Sequence, residues 1–248
     1  MTPSRPPFAA QRSLGVLAGV AILALAPPFA RAQSIPSPLR YIENGQAASA
    51  FAGRMSLSTG SLGLGPKSGL VVGGRYAIQT GGPVFFEGTL TFLPTKRNVI
   101  DPRKPRKQPD DRIIGESDVD LLMADARLSF SLTGRRSWHR FAPHLFVGIG
   151  LARDLAGAGE VDQQLDEDDV FHFGTAFTAG AGSGVRLFVG PRLMLRCDAG
   201  LTLWQLSTPS GFGDPEKRPD DEADPLYSPE QSEWVGGYGL GVSIAWRF

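Results

Sequence analysis

The sequence predicts an all-β fold, an eight-stranded antiparallel up-and-down transmembrane β-barrel, and three observations carry that prediction. The last fifteen residues, WVGGYGLGVSIAWRF, alternate large apolar and small residues with period two, the pattern of a strand with one apolar face. Seven further stretches repeat that alternation, and the connections between the eight run moderate, short, long, short, long, short, long, so that the short turns share one end. Beyond the amino-terminus no stretch holds the ~18 consecutive apolar residues of a membrane-crossing helix, so if the chain spans a membrane it does so with strands.

The amino-terminus carries Arg5 and Arg12, an apolar run from Leu14 to Ala26, and Ala30-Arg31-Ala32 before Gln33. This three-part order predicts a cleaved signal peptide over residues 1–32, because the run is shorter than the ~20 residues a spanning helix needs. Cleavage would remove three arginines and no acid, leaving 22 basic against 25 acidic residues. Residues 33–46, with Pro36 and Pro38 and little periodicity, read as a periplasmic lead-in, and residues 47–248 as the barrel. The single Cys197 has no internal disulfide partner and reads as a small apolar filler within a strand.

The first strand is expected from Ala47 to Ser58, with Phe51, Met55 and Leu57 outward and Ala50, Ala52, Arg54 and Ser56 inward. A Gly-rich loop, Thr59 to Ser68, precedes the second strand, Gly69 to Gln79, where Val72, Tyr76 and Ile78 face out. A Thr80-Gly81-Gly82 turn leads to the third, which sends Val84, Phe86, Leu90 and Phe92 out and Phe85, Glu87, Thr89 and Thr91 in. The segment Lys96 to Glu116 is too polar to bury and too rich in Pro for a strand, so it reads as a loop. The fourth strand, Ser117 to Thr133, places Asp125 and Arg127 inward. After the Gly134 to His139 turn the fifth sends Leu145, Val147, Ile149 and Leu151 outward, and an acidic loop follows from Ala156 to Asp169. The sixth strand, Phe171 to Phe188, has an inner face nearly bare of side chains at Gly174, Ala176, Gly180, Gly182 and Gly184. Across the Val189-Gly190-Pro191 turn, the seventh carries Arg196, Asp198 and Thr202 inward. The acidic segment Ser207 to Glu233 precedes the closing strand.

A soluble up-and-down barrel would be apolar within and polar without; this pattern has the reverse polarity. A charge facing lipid at mid-depth costs roughly 2–4 kcal/mol. The strand charges Arg54, Arg75, Glu87, Asp125, Arg127, Arg196 and Asp198 are therefore all expected inside, as one buried network. A three-residue turn would set Arg75 directly opposite Glu87, and the Val189-Gly190-Pro191 turn would set Arg196 and Asp198 against Gly182 and Gly180. Eight strands enclose an interior that side chains fill, which argues against a continuous bore.

On the outward parity of the last strand stand Tyr238, Leu240, Val242, Ile244, Trp246 and the terminal Phe248. This strand resembles the terminal signal strand of bacterial outer-membrane barrels, which the barrel-assembly machinery reads. Through strand rhythm and that terminal strand, residues 47–248 resemble the small eight-stranded barrels of the OmpA and OmpX kind. The resemblance implies an outer-membrane protein with a structural, adhesive or surface-interaction role, no cofactor and a monomeric state. No periplasmic peptidoglycan-binding domain is expected after Phe248, so the anchoring role of the longer OmpA-type proteins is not implied.

Two other classes stay open: a lipid A-modifying barrel enzyme and a narrow pore. The histidines available for catalysis are His139, His144 and His172; His172 lies near a loop with Thr175 three residues on, and no nucleophile motif surrounds it. The Asp166 to Val170 pentad lacks the spacing and central Gly of an EF-hand, so no metal is expected. Arg103, Lys104, Arg106 and Lys107 lie in the basic loop, at the level where lipopolysaccharide phosphates would be met. Nucleic acid is not an expected partner, because the other long loops are acidic.

Overall fold

In the computed structural model, which describes residues 37–43, 45–104 and 111–248, eight long strands close into one antiparallel barrel. They are β2 (Gln46–Leu57), β3 (Gly69–Gly81), β4 (Val84–Ile100), β5 (Ile113–Ser131), β7 (Phe141–Asp154), β8 (Thr175–Phe188), β9 (Leu193–Ser207) and β10 (Ser232–Arg247). Each pairs with its neighbour in sequence, and β10 returns to pair with β2, so that no edge is left unpaired. The signal-peptide segment, residues 1–32, lies outside the described residues.

The outside of the barrel is an apolar band. Leu70, Val72, Leu128, Val147, Ile149, Leu201, Leu240, Val242 and Ile244 are all exposed, with Tyr238, Trp234, Trp246 and Phe248 among them. Cys197 stands on this outward face, beside Val185 and Val242.

Several boundaries differ from the sequence reading. Leu39–Tyr41, read as unstructured lead-in, forms β1 and pairs with β6 (Arg136–Trp138), a strand inside the segment read as a turn. The basic loop is shorter than Lys96 to Glu116, because β4 runs on to Ile100 and β5 begins at Ile113. Their pairing continues through Lys96↔Asp118 and Arg97↔Ser117, so this hairpin extends beyond its neighbours. Asp101 to Lys104, with Pro102 among them, turn away from the sheet, where proline's missing N–H would break a ladder.

The facing of β2 is the reverse of that expected. Phe51 and Met55 turn inward, whereas Arg54 is exposed between Leu70 and Leu240 on the outer face. The reason is volume. Gly73 on β3 leaves the space that the Phe51 ring occupies, so the interior takes the large residues and alanines 48, 50 and 52 face out.

Two registers also move. A bulge between Gln79 and Gly81 sets Arg75 opposite Thr89, and Glu87 opposite Ala77. A five-residue turn after Phe188 sets Arg196 opposite Arg186 and Asp198 opposite Gly184, in place of the expected Gly182 and Gly180; a three-residue turn would itself have paired them with Gly184 and Gly182.

The interior is layered. At the end of the short turns, which is the periplasmic end in outer-membrane barrels, Ile42, Ala142, Phe188, Met194 and Ala245 form an apolar plug. At the loop end a larger one joins strand residues Leu93, Val119, Leu121, Trp204 and Val235 to Leu64, Phe171, Phe212 and Leu226, which the loops fold inward. The charged residues lie between, in a barrel narrowed by glycines. A Cβ on Gly182 would collide with the Phe146 ring and the Ala199 carbonyl and lie 2.7 Å from Gly200 Cα. We therefore expect Gly182→Val to cost about 1–3 kcal/mol of folding stability. Urea unfolding in lipid vesicles should show the lower midpoint.

Candidate functional site

The densest chemistry is in the periplasmic half of the barrel interior, and inward parity on five strands builds it. Glu87 of β4 is fully buried. One of its oxygens, Oε1, accepts hydrogen bonds from Arg196 Nη1 at 2.7 Å and Arg186 Nη2 at 2.9 Å, while Oε2 lies 3.6 Å from Arg75 Nε. Asp198 of β9 receives Arg75 Nη1 at 2.8 Å and Arg196 Nε at 2.7 Å. His144 of β7 approaches the same carboxylate through Nε2 at 3.0 Å. An ionised carboxylate only accepts, so Nε2 carries the proton in that bond.

Three guanidiniums thus enclose two carboxylates, and with His144 neutral the cluster holds one positive charge in excess. Aromatic faces take part of it: Arg186 lies 4.3 Å from the Phe85 ring centroid and Arg75 5.4 Å from that of Phe51. Arg186 also donates to Ser129 Oγ at 2.8 Å.

A second pair stands nearer the loops, where Arg127 Nη2 donates to Asp125 at 3.1 Å and Thr178 Oγ1 to Asp125 at 3.1 Å. Between the pair and the main cluster is a cavity of ≈ 100 Å³, lined by Arg75, Asp125, Arg127 and Asp198, with glycines 148, 180, 200, 239 and 241.

Of the seven expected interior charges, six are inside: Arg75, Glu87, Asp125, Arg127, Arg196 and Asp198. Arg54 is not, for the packing reason given above. Two members of the cluster were missed, Arg186 and His144, although each continues an inward parity, that of Gly180, Gly182 and Gly184 and that of Gly148 and Gly150.

The loops form a second charged region. Arg97 Nη2 meets Asp162 at 2.7 Å, with both side chains buried, and Ser117 Oγ donates to the same carboxylate at 2.8 Å. Arg112 Nη1 contacts both oxygens of Asp224, at 2.8 and 2.9 Å. Arg103 pairs with Asp166, and Lys217 Nζ donates to the buried Asp169 at 2.5 Å. Lys67 reaches Glu116 at 2.6 Å and holds that carboxyl below its usual range. Cations of the β4–β5 hairpin therefore engage the two acidic loops directly. The acids of the Asp166 to Val170 pentad are partly used in this way, and among the described residues no His, Cys, Asp and Glu cluster has the makings of a metal site. Of the basic residues assigned to lipopolysaccharide, Arg103 is paired, Lys104 is exposed, and Arg106 and Lys107 lie outside the described residues.

The histidines separate by place. His144 is sealed inside the barrel, His139 packs edge-on against Trp138 at 4.7 Å, and His172 is exposed in the loop before β8. Tyr238, Leu240, Val242, Ile244 and Trp246 all face outward on β10, and the Phe248 ring lies 6.2 Å from Tyr76.

No protein-family model matches this chain, and no curated protein sequence matches it. Among solved structures, the chain is similar to the outer membrane protein OprG from Pseudomonas aeruginosa, with TM-score 0.50 and 11% identity, over 84% of this chain and 98% of that one. It is also similar to Neisserial surface protein A, with TM-score 0.49 and 16% identity over 82% and 97% of the two chains. Ail, the attachment invasion locus protein of Yersinia pestis, aligns at TM-score 0.35 and 14% identity over 83% and 100%. At 11% identity the likeness to OprG concerns the fold: the chain is a closed eight-stranded barrel of the small outer-membrane kind.

Removing one member of a buried ion cluster leaves the others uncompensated, which costs about 3–5 kcal/mol. Glu87→Gln should lose that much. Arg75→Met should not restore it, since Arg186 and Arg196 still face the lost carboxylate. Folding titrations of the single and double variants in lipid vesicles measure both effects.

Proposed function

We propose that this chain is a non-enzymatic, non-conducting integral protein of the outer membrane whose role, structural or surface-interacting, is carried by its extracellular loops. The observation that supports it most is the layered interior. A charged cluster between two apolar plugs offers no continuous aqueous path. The exposed apolar band supports membrane insertion, because in water so large an apolar surface would drive association.

The loops support the second half of the proposal. Arg97–Asp162 and Arg112–Asp224 are buried pairs, and Phe171, Phe212 and Leu226 insert below them, so the described part of the outer end is a fixed surface. A fixed surface loses little conformational entropy when a partner binds. In this proposal exposed cations at that end, Lys104 among them, contact lipopolysaccharide phosphates, and the outward strand β10 with Phe248 is what the barrel-assembly machinery recognises. The barrel acts as a monomer. An enzymatic reading has less support, because His144 and Asp198 are shut away from lipid inside the barrel.

The expected result in planar bilayers is an absence of single-channel current from the refolded protein, with no change in the mass of lipid A in cells that express it. Steady current would favour the pore, and a mass change the enzyme. Arg112→Gln breaks a buried pair that ties the β4–β5 hairpin to the last long loop. It should leave the barrel folded on a heat-modifiability gel while trypsin cleaves the loops faster than in the wild type.

A further inference from the structure

A second cavity, of ≈ 30 Å³, lies between the Glu87 cluster and the periplasmic plug. Four guanidinium groups line it, those of Arg75, Arg186, Arg196 and Arg247, and each of these residues is more than nine-tenths buried. Neither Glu87 nor Asp198 lines it. These two carboxylates take Arg196 Nε and Nη1, but Arg196 Nη2 is buried without a hydrogen-bond partner. Arg247 donates to the Pro191 carbonyl at 3.3 Å and lies 4.6 Å from the Phe188 ring centroid, with the exposed Glu43 acting on it from the mouth. The rest of the lining is largely apolar and includes Phe85, Phe188 and Met194.

A buried charge persists only when it is paired, and a buried donor only when it is satisfied. Three guanidiniums sharing two carboxylates on one side of a cavity leave positive potential inside it, and the unused N–H of Arg196 adds a directed donor. The size is informative too: a water needs about 10–15 Å³ of such space, so a single small ion is admitted and a large oxyanion is not. A halide carries the required charge, accepts from several N–H groups in any direction and tolerates an apolar wall.

We propose that this cavity is a binding site for one small monovalent anion of the halide class, entering from the periplasmic mouth and neutralising the excess charge of the interior cluster. The ion would act as a structural counter-ion that ties β3, β8, β9 and β10 together at their periplasmic ends. The inference does not depend on the role assigned to the loops.

Bromide is the probe. Crystals of the refolded barrel soaked in sodium bromide should give an anomalous peak inside the cavity. In detergent, the unfolding midpoint should rise saturably with bromide or chloride relative to sulfate at equal ionic strength. At ten times its dissociation constant the ion should shift the folding equilibrium roughly elevenfold. Ala77→Leu keeps all four arginines and fills the space, since Ala77 lines it; it should remove both the peak and the halide dependence. Arg247→Met, which leaves the contacts of Glu87 and Asp198 in place, should weaken halide binding and require more bromide for the same shift. Equal midpoints in bromide and sulfate with no anomalous peak, or a halide response in Ala77→Leu equal to that of the wild type, would overturn the proposal.

Discussion

Glu87 is the interaction on which the interior depends. A carboxylate with no exposure is unstable in a barrel unless charge is brought to it, and guanidiniums from β3, β8 and β9 are brought. Those long side chains fit because neighbouring positions are small: Gly184 sits across from Asp198, and a Cβ there would lie 2.7 Å from His144. The need to pair one acid therefore fixes strand register as well as charge, since a shift of one residue would turn Arg186 or Arg196 to the lipid. The apolar plugs above and below complete the arrangement by keeping water from competing for the same groups.

The same physics recurs at the loop end in a different role. Inside the barrel the ion cluster is covered by strands on all sides; outside, Arg97–Asp162 and Arg112–Asp224 hold together segments that have no sheet pairing with one another. Partial burial matters to their worth. Exposed pairs such as Lys96–Glu116, at 3.6 Å, contribute little against screening and side-chain entropy. The pairs that exclude water are those whose loss would release a loop, and they sit beside inserted apolar residues such as Leu226 and Phe212. A connected surface results from loops that composition alone marks as solvated.

Much of the fold is legible in the sequence because lipid imposes a strict alternation. Strands with bulky residues on one parity, such as β3 with Val72, Tyr76 and Ile78, are read correctly in facing, and β3 in its start at Gly69, although it runs two residues past Gln79. β2 fails because its outward parity is largely alanine, and the void that Gly73 leaves lies on another strand. The two registers fail for a related reason. Parity shows which face a residue occupies, but a bulge at Thr80 or a longer turn after Phe188 moves the partner without changing the face. Arg186 and His144 were readable from parity; the cross-loop pairs were not, since Arg112 and Asp224 are 112 residues apart and no local pattern links them.

The outer plug seals the charged interior from bulk water on the loop side, and Trp204 reports on that seal most directly. Its side chain is fully buried in the outer plug, and its indole N–H has no hydrogen-bond partner, so only exclusion of water can protect it from exchange. The measurement is hydrogen–deuterium exchange of that indole proton by NMR, with the protein in lipid nanodiscs. A sealed barrel predicts that the proton is retained for hours at neutral pH; exchange as fast as that of an exposed tryptophan would contradict the account.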